Sequence, residues 1–94
     1  MRLEWSPSAV EDRELIFDHI VQDNPLAAVD VDERIREQTE QLAVFPEIGR
    51  PGRTPGTREL VVSHTPYLVA YRMLGEDLRI LRVLHSAQQW PESM

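Results

Sequence analysis

Apolar residues recur along this chain with two periods, and the switch between them divides it. Between Ser6 and Leu42 the spacing is helical: Ala9, Ile16, Phe17, Ile20 and Val21 share one face of a first segment, and Ala28, Val31, Ile35 and Leu42 form a stripe on a second. Ser6-Pro7 supplies a cap and a first-turn proline for the first helix, which should run to about Asp23. Asn24-Pro25 ends it and caps the next, because proline disfavours helical geometry in the residue before it. From Gly56 to His85 the pattern becomes three runs of about six to eight β-branched and aromatic residues. The turn chemistry of His64-Thr65-Pro66 and Gly75-Glu76-Asp77 separates them, predicting a three-stranded antiparallel meander. Arg2 to Trp5 alternates and adds an edge strand. Between Phe45 and Thr57, three Pro and three Gly argue against regular structure. The expectation is an α+β fold of order β-α-α-β-β-β, with a helical hairpin packed on one face of a small antiparallel sheet, in a single domain spanning 1–94.

Charge is distributed unevenly over these elements. The net charge is -6, which opposes holding nucleic acid by the overall field, but Met1 to Pro46 carry four Arg against eleven acids and Glu47 to Met94 six Arg against five. The acidity therefore belongs to the helical half. All ten basic residues are Arg, which favours bidentate pairing with carboxylate or phosphate, although Arg-favouring codon usage accounts for this equally well. Arg58, Arg72, Arg79 and Arg82 stand within apolar strands, where an unpaired desolvated guanidinium is not tolerated. One face of the sheet is accordingly expected to be an open, positively charged surface, with helices on the other. Arg50 and Arg53 belong either to a purely structural connection or to a mobile loop that presents them to an anion. Trp90 is expected to pack back onto the domain or beneath a partner, and His19 to be a surface or boundary side chain.

The chain has no cysteine and so no disulfide or thiolate site, and no metal or cofactor is expected. Its first residues lack an apolar leader and no run approaches the roughly 20 residues that cross a bilayer, so a soluble cytoplasmic protein without membrane contact is expected. No Gly-rich phosphate loop or nucleophile elbow is present in the sequence.

Specific residues add to this order of elements. Trp5-Ser6-Pro7 is followed by Ala9 and Asp12, then by Asp23-Asn24-Pro25 with Ala27-Ala28, and by Phe45-Pro46 through Gly49-Arg50. Gly56-Thr57-Arg58-Glu59-Leu60, Tyr67-Leu68-Val69-Ala70-Tyr71-Arg72 and Ile80-Leu81-Arg82-Val83-Leu84-His85 come next, closing with Gln88 and Trp90-Pro91. In this order and spacing the chain resembles the RelE/ParE family, the toxic halves of bacterial type II toxin-antitoxin modules. The resemblance implies a cognate antitoxin that wraps and neutralises the toxin in a hetero-oligomeric complex. It also implies one of two targets: the ribosome and its messenger RNA, cut by RelE-like members, or DNA gyrase, poisoned by ParE-like members.

Metal-free RNA cleavage requires an acid and a base together with cations around the phosphate. His85 is the candidate acid or base, Arg58 and Arg82 the candidate cations, with Arg72 or His64 in support. Arg82 and His85 are three apart and point to opposite faces of a regular strand, so convergence needs a bulge or the strand's end. Net acidity without lysine fits a surface embedded in ribosomal RNA poorly, and a Leu-His pair ending the last strand resembles the ParE branch. The reading favours a gyrase inhibitor, with the ribosome-dependent endonuclease as the alternative. A third possibility is a non-catalytic module whose Arg58, Arg72 and Arg82 pair with carboxylates of an acidic partner; under any of these readings the residues expected to meet a partner or target are Arg58, His64, Tyr67, Arg72, Arg82, Trp90, Arg50 and Arg53.

Overall fold

Ser6 sets the point at which the first strand gives way to the first helix. Its backbone is extended, its Oγ accepts the Ala9 amide at 3.0 Å, and Pro7 follows at the first helical position, so β1 (Arg2–Trp5) ends and α1 (Pro7–Val21) begins there. Asn24 repeats the device for α2 (Pro25–Glu40), its side chain accepting from the Ala27 amide at 3.1 Å. Leu42, expected within the helical stripe, is buried in a 3-10 turn, Gln41–Ala43. The sheet strands that follow are β2 (Arg50–Pro51), β3 (Arg58–Val61), β4 (Tyr67–Leu74) and β5 (Asp77–His85). The computed structural model describes residues 1–88 and 90–91. Gln89, Glu92, Ser93 and Met94, included in the single-domain expectation, lie outside the described residues.

The sheet order is β1-β5-β4-β3-β2, with β1 parallel to β5 and the other pairs antiparallel. The sheet is therefore mixed rather than purely antiparallel. The reason is topological: the helical hairpin returns the chain far enough for β1 and the last strand to run side by side in one direction. A second departure is β2, a two-residue strand inside the segment expected to be irregular. Pro51 is tolerated there because the missing amide falls on a sheet edge.

Tyr67, Val69 and Tyr71 of β4 join Val62, Leu78, Ile80 and Val83 in one buried core with Ala9, Ile35 and Leu42 from the helical half. Tyr71, Leu78 and Ile80 retain no exposed surface, and each buried side chain of this size contributes on the order of 1.5–3 kcal/mol. By strand alternation Leu68, Ala70 and Leu84 face the other way, yet they too are buried. A register shift leaves Leu81 as an extra residue in β5: Tyr71 pairs with Ile80 but Ala70 with Arg82. The backbone groups at this bulge are met by α1, because Ser6 Oγ donates to the Leu81 carbonyl at 2.8 Å and the Val83 amide donates to Asp12 at 2.9 Å. Past the end of β1, α1 takes over as the neighbour of β5.

Candidate functional site

Most of the arginines are already engaged. Arg82 makes a bidentate pair with Asp12, at 2.8 Å from Nε and 2.9 Å from Nη2, and that bond raises the guanidinium pKa above its ordinary value. Arg79 pairs with Glu4. Arg50 and Arg53 share Glu59, which is only 2% exposed and also accepts the Arg53 amide at 2.9 Å. The anion that the Pro/Gly segment meets is thus a carboxylate of its own chain. Arg53 also stacks 4.1 Å over the Trp90 ring. Since Glu59 is in register with Ala70, this contact brings Trp90 back over the second face of the sheet. The expected open arginine face is corrected in part: acids from α1 and β1 neutralise Arg82 and Arg79, and Glu59 of β3 takes up Arg50 and Arg53, over which Trp90 stacks.

Arg58 and Arg72 are different. Arg58 donates through Nη1 to the Gly49 carbonyl at 2.7 Å, and among the described residues neither arginine has a carboxylate partner. They line one cleft of about 250 Å³ with Pro51, Gly56, Thr57 and Met73. Tyr71 pins the start of the Pro/Gly segment, its hydroxyl donating to the Pro46 carbonyl at 2.8 Å and accepting the Gly49 amide at 2.9 Å. Burial pushes the Tyr71 phenol pKa up, partly offset by the Gly49 bond and the nearby Arg58 charge. Gly49 is required by this close approach, since a Cβ there would lie 2.5 Å from the Tyr71 hydroxyl.

His85 lies at the opposite end of β4. Its ring meets Tyr67 edge-on at a centroid distance of 5.4 Å, and burial raises the Tyr67 phenol pKa. Nδ1 of His85 accepts the Ala87 amide at 3.0 Å, so the neutral imidazole carries its proton on Nε2 and presents a donor. A cleft of about 290 Å³ is lined by both rings together with Asp12, Leu15, Ile16, His19, Val83 and Gln88. His19, expected to be a surface or boundary side chain, is exposed and stands at this cleft. His64 is exposed at the β3–β4 turn with φ 64°, and is in neither cleft.

The residues considered for phosphodiester chemistry do not gather. Arg58 is in register with Tyr71 and His85 with Tyr67, four residues apart on β4, a separation of about 13 Å at roughly 3.3 Å per residue. Between Arg82 and His85 the register is regular, so the bulge at Leu81 falls on the wrong side of Arg82 to bring them onto one face. Sequence reasoning missed Glu59 and left Asp12 without a role. Each is an acid beside a strand arginine, in sequence for Glu59 and only in space for Asp12.

This arrangement of helical hairpin and bulged sheet has known relatives. The family model for the ParE toxin of the type II toxin-antitoxin system parDE matches residues 3–90. The chain belongs to the ParE toxin family. Its relatives include Y4kP of Sinorhizobium fredii, 42% identical over 91 residues covering 97% of this chain and 94% of that protein. Toxin RelE2 of Caulobacter vibrioides is 37% identical over 84 residues, covering 89% and 93%. Among solved structures, a chain of the chromosomal ParDE system from P. aeruginosa superposes with a TM-score of 0.83 at 32% identity, covering 90% of this chain and 95% of that one. This ParE-family chain is a toxin of a type II system, and its two helices on a five-stranded mixed sheet are the fold of those neighbours. Among the described residues no helix is long and apolar enough to cross a membrane.

Proposed function

We propose that this toxin arrests bacterial growth from the cytoplasm by ParE-like inhibition of DNA gyrase, and that a cognate antitoxin neutralises it in a hetero-oligomeric complex. The observation that carries the reading is the dispersal of the groups a nuclease would need. Arg82 is tied to Asp12, Arg58 lies at the far end of β4 from His85, and Arg82 and His85 occupy opposite faces. A metal-free ribonuclease needs its acid, base and cations around one phosphate, whereas an inhibitor that works by binding does not. Net charge of -6 also fits a protein target better than a ribosomal RNA cavity. The match to the parDE family model and to the P. aeruginosa ParDE chain supports the same branch.

One observation favours the alternative, a RelE-like ribosome-dependent messenger endonuclease. His19 and His85 share a cleft with Tyr67, which could supply proton donors and acceptors at one place, and one relative is named RelE2. Expressing the chain alone in a bacterium separates the two. DNA-damage signalling with intact messages supports the gyrase reading; rapid loss of translation with cleaved transcripts supports the nuclease. Undiminished growth removes both and leaves a non-catalytic binding module.

A further inference from the structure

Three large apolar side chains stand exposed close together at the turn that leads from the helical half into the sheet: Val44 at 70%, Phe45 at 59% and Ile48 at 48%. One exposed apolar residue is ordinary, but a cluster of them marks a contact surface. None of the three is among the residues of the core or those packed against it. Phe45 and Ile48 open and close a hydrogen-bonded turn, the Ile48 amide donating to the Phe45 carbonyl at 3.3 Å, so their Cα atoms lie within about 7 Å of each other. The turn is nonetheless held rigidly. The Val44 and Phe45 amides both donate to the Gln41 carbonyl, at 3.1 and 2.8 Å. The Tyr71 hydroxyl joins the Pro46 carbonyl to the Gly49 amide, and Arg58 Nη1 donates to the Gly49 carbonyl at 2.7 Å. A core tyrosine and a strand arginine therefore fix a turn whose own apolar side chains add little to folding, which is the preorganisation that a binding loop needs.

We infer that this turn is the anchor by which the toxin enters an apolar pocket on its folded target protein; the inference rests on the gyrase reading and names the surface of the toxin that meets that target. The backbone argues against a wrapping or strand-adding peptide. The amides of Val44, Phe45, Ile48 and Gly49 are all engaged within the chain, so recognition goes through side chains rather than through a new ladder. Area argues against a second copy of this chain. Three partly exposed side chains offer on the order of a few hundred Å², well short of the roughly 800 Å² per partner of a stable symmetric interface, yet enough for the aromatic centre of a larger one. Charge argues against nucleic acid. Glu47, inside the turn, is exposed and has no ion-pair partner among the described residues, so it repels phosphate and calls for a cation or an amide donor at the rim of the pocket.

The test compares the purified parent with Phe45→Ser and Leu26→Ser in a supercoiling assay with gyrase holoenzyme, after circular dichroism has established that each is folded. Half-maximal inhibition should require about tenfold or more Phe45→Ser than parent, the loss typical of an anchor residue. Leu26→Ser, which removes an exposed leucine at the start of α2, should stay within about twofold of the parent. Ile48→Ser serves as a second turn variant should Phe45→Ser fail to fold. Inhibition as strong as the parent's by the folded turn variants overturns the inference, and so does an equal loss in Leu26→Ser. A parent that sediments as a dimer, and that Phe45→Ser converts to a monomer, assigns the turn to a second copy and overturns it too. A parent without effect on supercoiling refutes the gyrase reading and this contact with it, whereas an inhibitory parent beside fully active turn variants refutes the contact alone.

Discussion

Replacing Asp12 by alanine tests the internal consumption of the arginines. The substitution removes both acceptor oxygens from Arg82 and leaves the Val83 amide without its partner. The carboxylate side chain is 11% exposed and the guanidinium 26%, so the pair lies between the limits set by surface and fully buried ion pairs. Surface pairs contribute about 0–1 kcal/mol, and breaking a buried one costs about 3–5 kcal/mol. With a quarter of the arginine still reaching water, a loss of about 2–3 kcal/mol is expected. For a domain of this length that is a fall in Tm of roughly 10–20 °C. Urea unfolding followed by circular dichroism measures it. Asp30→Ala, which removes the exposed helical pair with Arg34, serves as the control and should cost no more than about 0.5 kcal/mol. If Asp12→Ala unfolds within that same margin of the parent, the assignment of Asp12 as the structural counter-ion of Arg82 is wrong.

Tyr71→Phe removes the hydroxyl that joins Pro46 and Gly49, and should cost about 1–2 kcal/mol and speed hydrogen exchange at the Gly49 amide. Because burial raises the Tyr71 and Tyr67 phenols above their ordinary 10.0, the unfolded chain releases these protons first. Their contribution to stability is complete below that pH and is lost as pH climbs towards the folded values. The urea midpoint should therefore fall above pH 10.0, less steeply in Tyr71→Phe, and a flat alkaline profile in the parent would refute this. Gly49→Ala forces a Cβ to 2.5 Å from the Tyr71 hydroxyl and should destabilise by about 1–3 kcal/mol, visible as a lower Tm. His85→Ala should retain growth arrest when expressed, since the gyrase reading gives His85 no proton to transfer; its loss in a stably folded variant would favour the nuclease.

The fold was largely legible because each element carries local signals that agree with one another. Ser6-Pro7 and Asn24-Pro25 cap the helices where expected, and the meander follows its turn residues. What escaped was one local helix end and, beyond it, the non-local pairings. Helix α1 stops at Val21 rather than near Asp23, with the Asp23 and Asn24 amides both donating to the Ile20 carbonyl. The parallel pairing of β1 depends on where the hairpin returns the chain, and the short β2 depends on its pairing with Glu59 and Arg58; neither is written in a local pattern. The site was less legible for the same reason. An arginine in a strand announces that it needs an anion, but the identity of that anion is decided by packing: Asp12 comes from α1, Glu4 from β1 and Glu59 from the neighbouring register. His19 and His85, 66 residues apart, meet at one cleft only because α1 replaces β1 beside the end of β5.

Inhibition of gyrase and cleavage of messenger RNA, the two proposed activities, are separated with the purified chain in two parallel reactions. One measures DNA supercoiling by gyrase, and the other follows messenger RNA integrity in a ribosome-dependent translation mixture. A gyrase inhibitor gives dose-dependent loss of supercoiling with messages intact. Messages cleaved in the presence of ribosomes, with supercoiling unaffected, would contradict the gyrase reading.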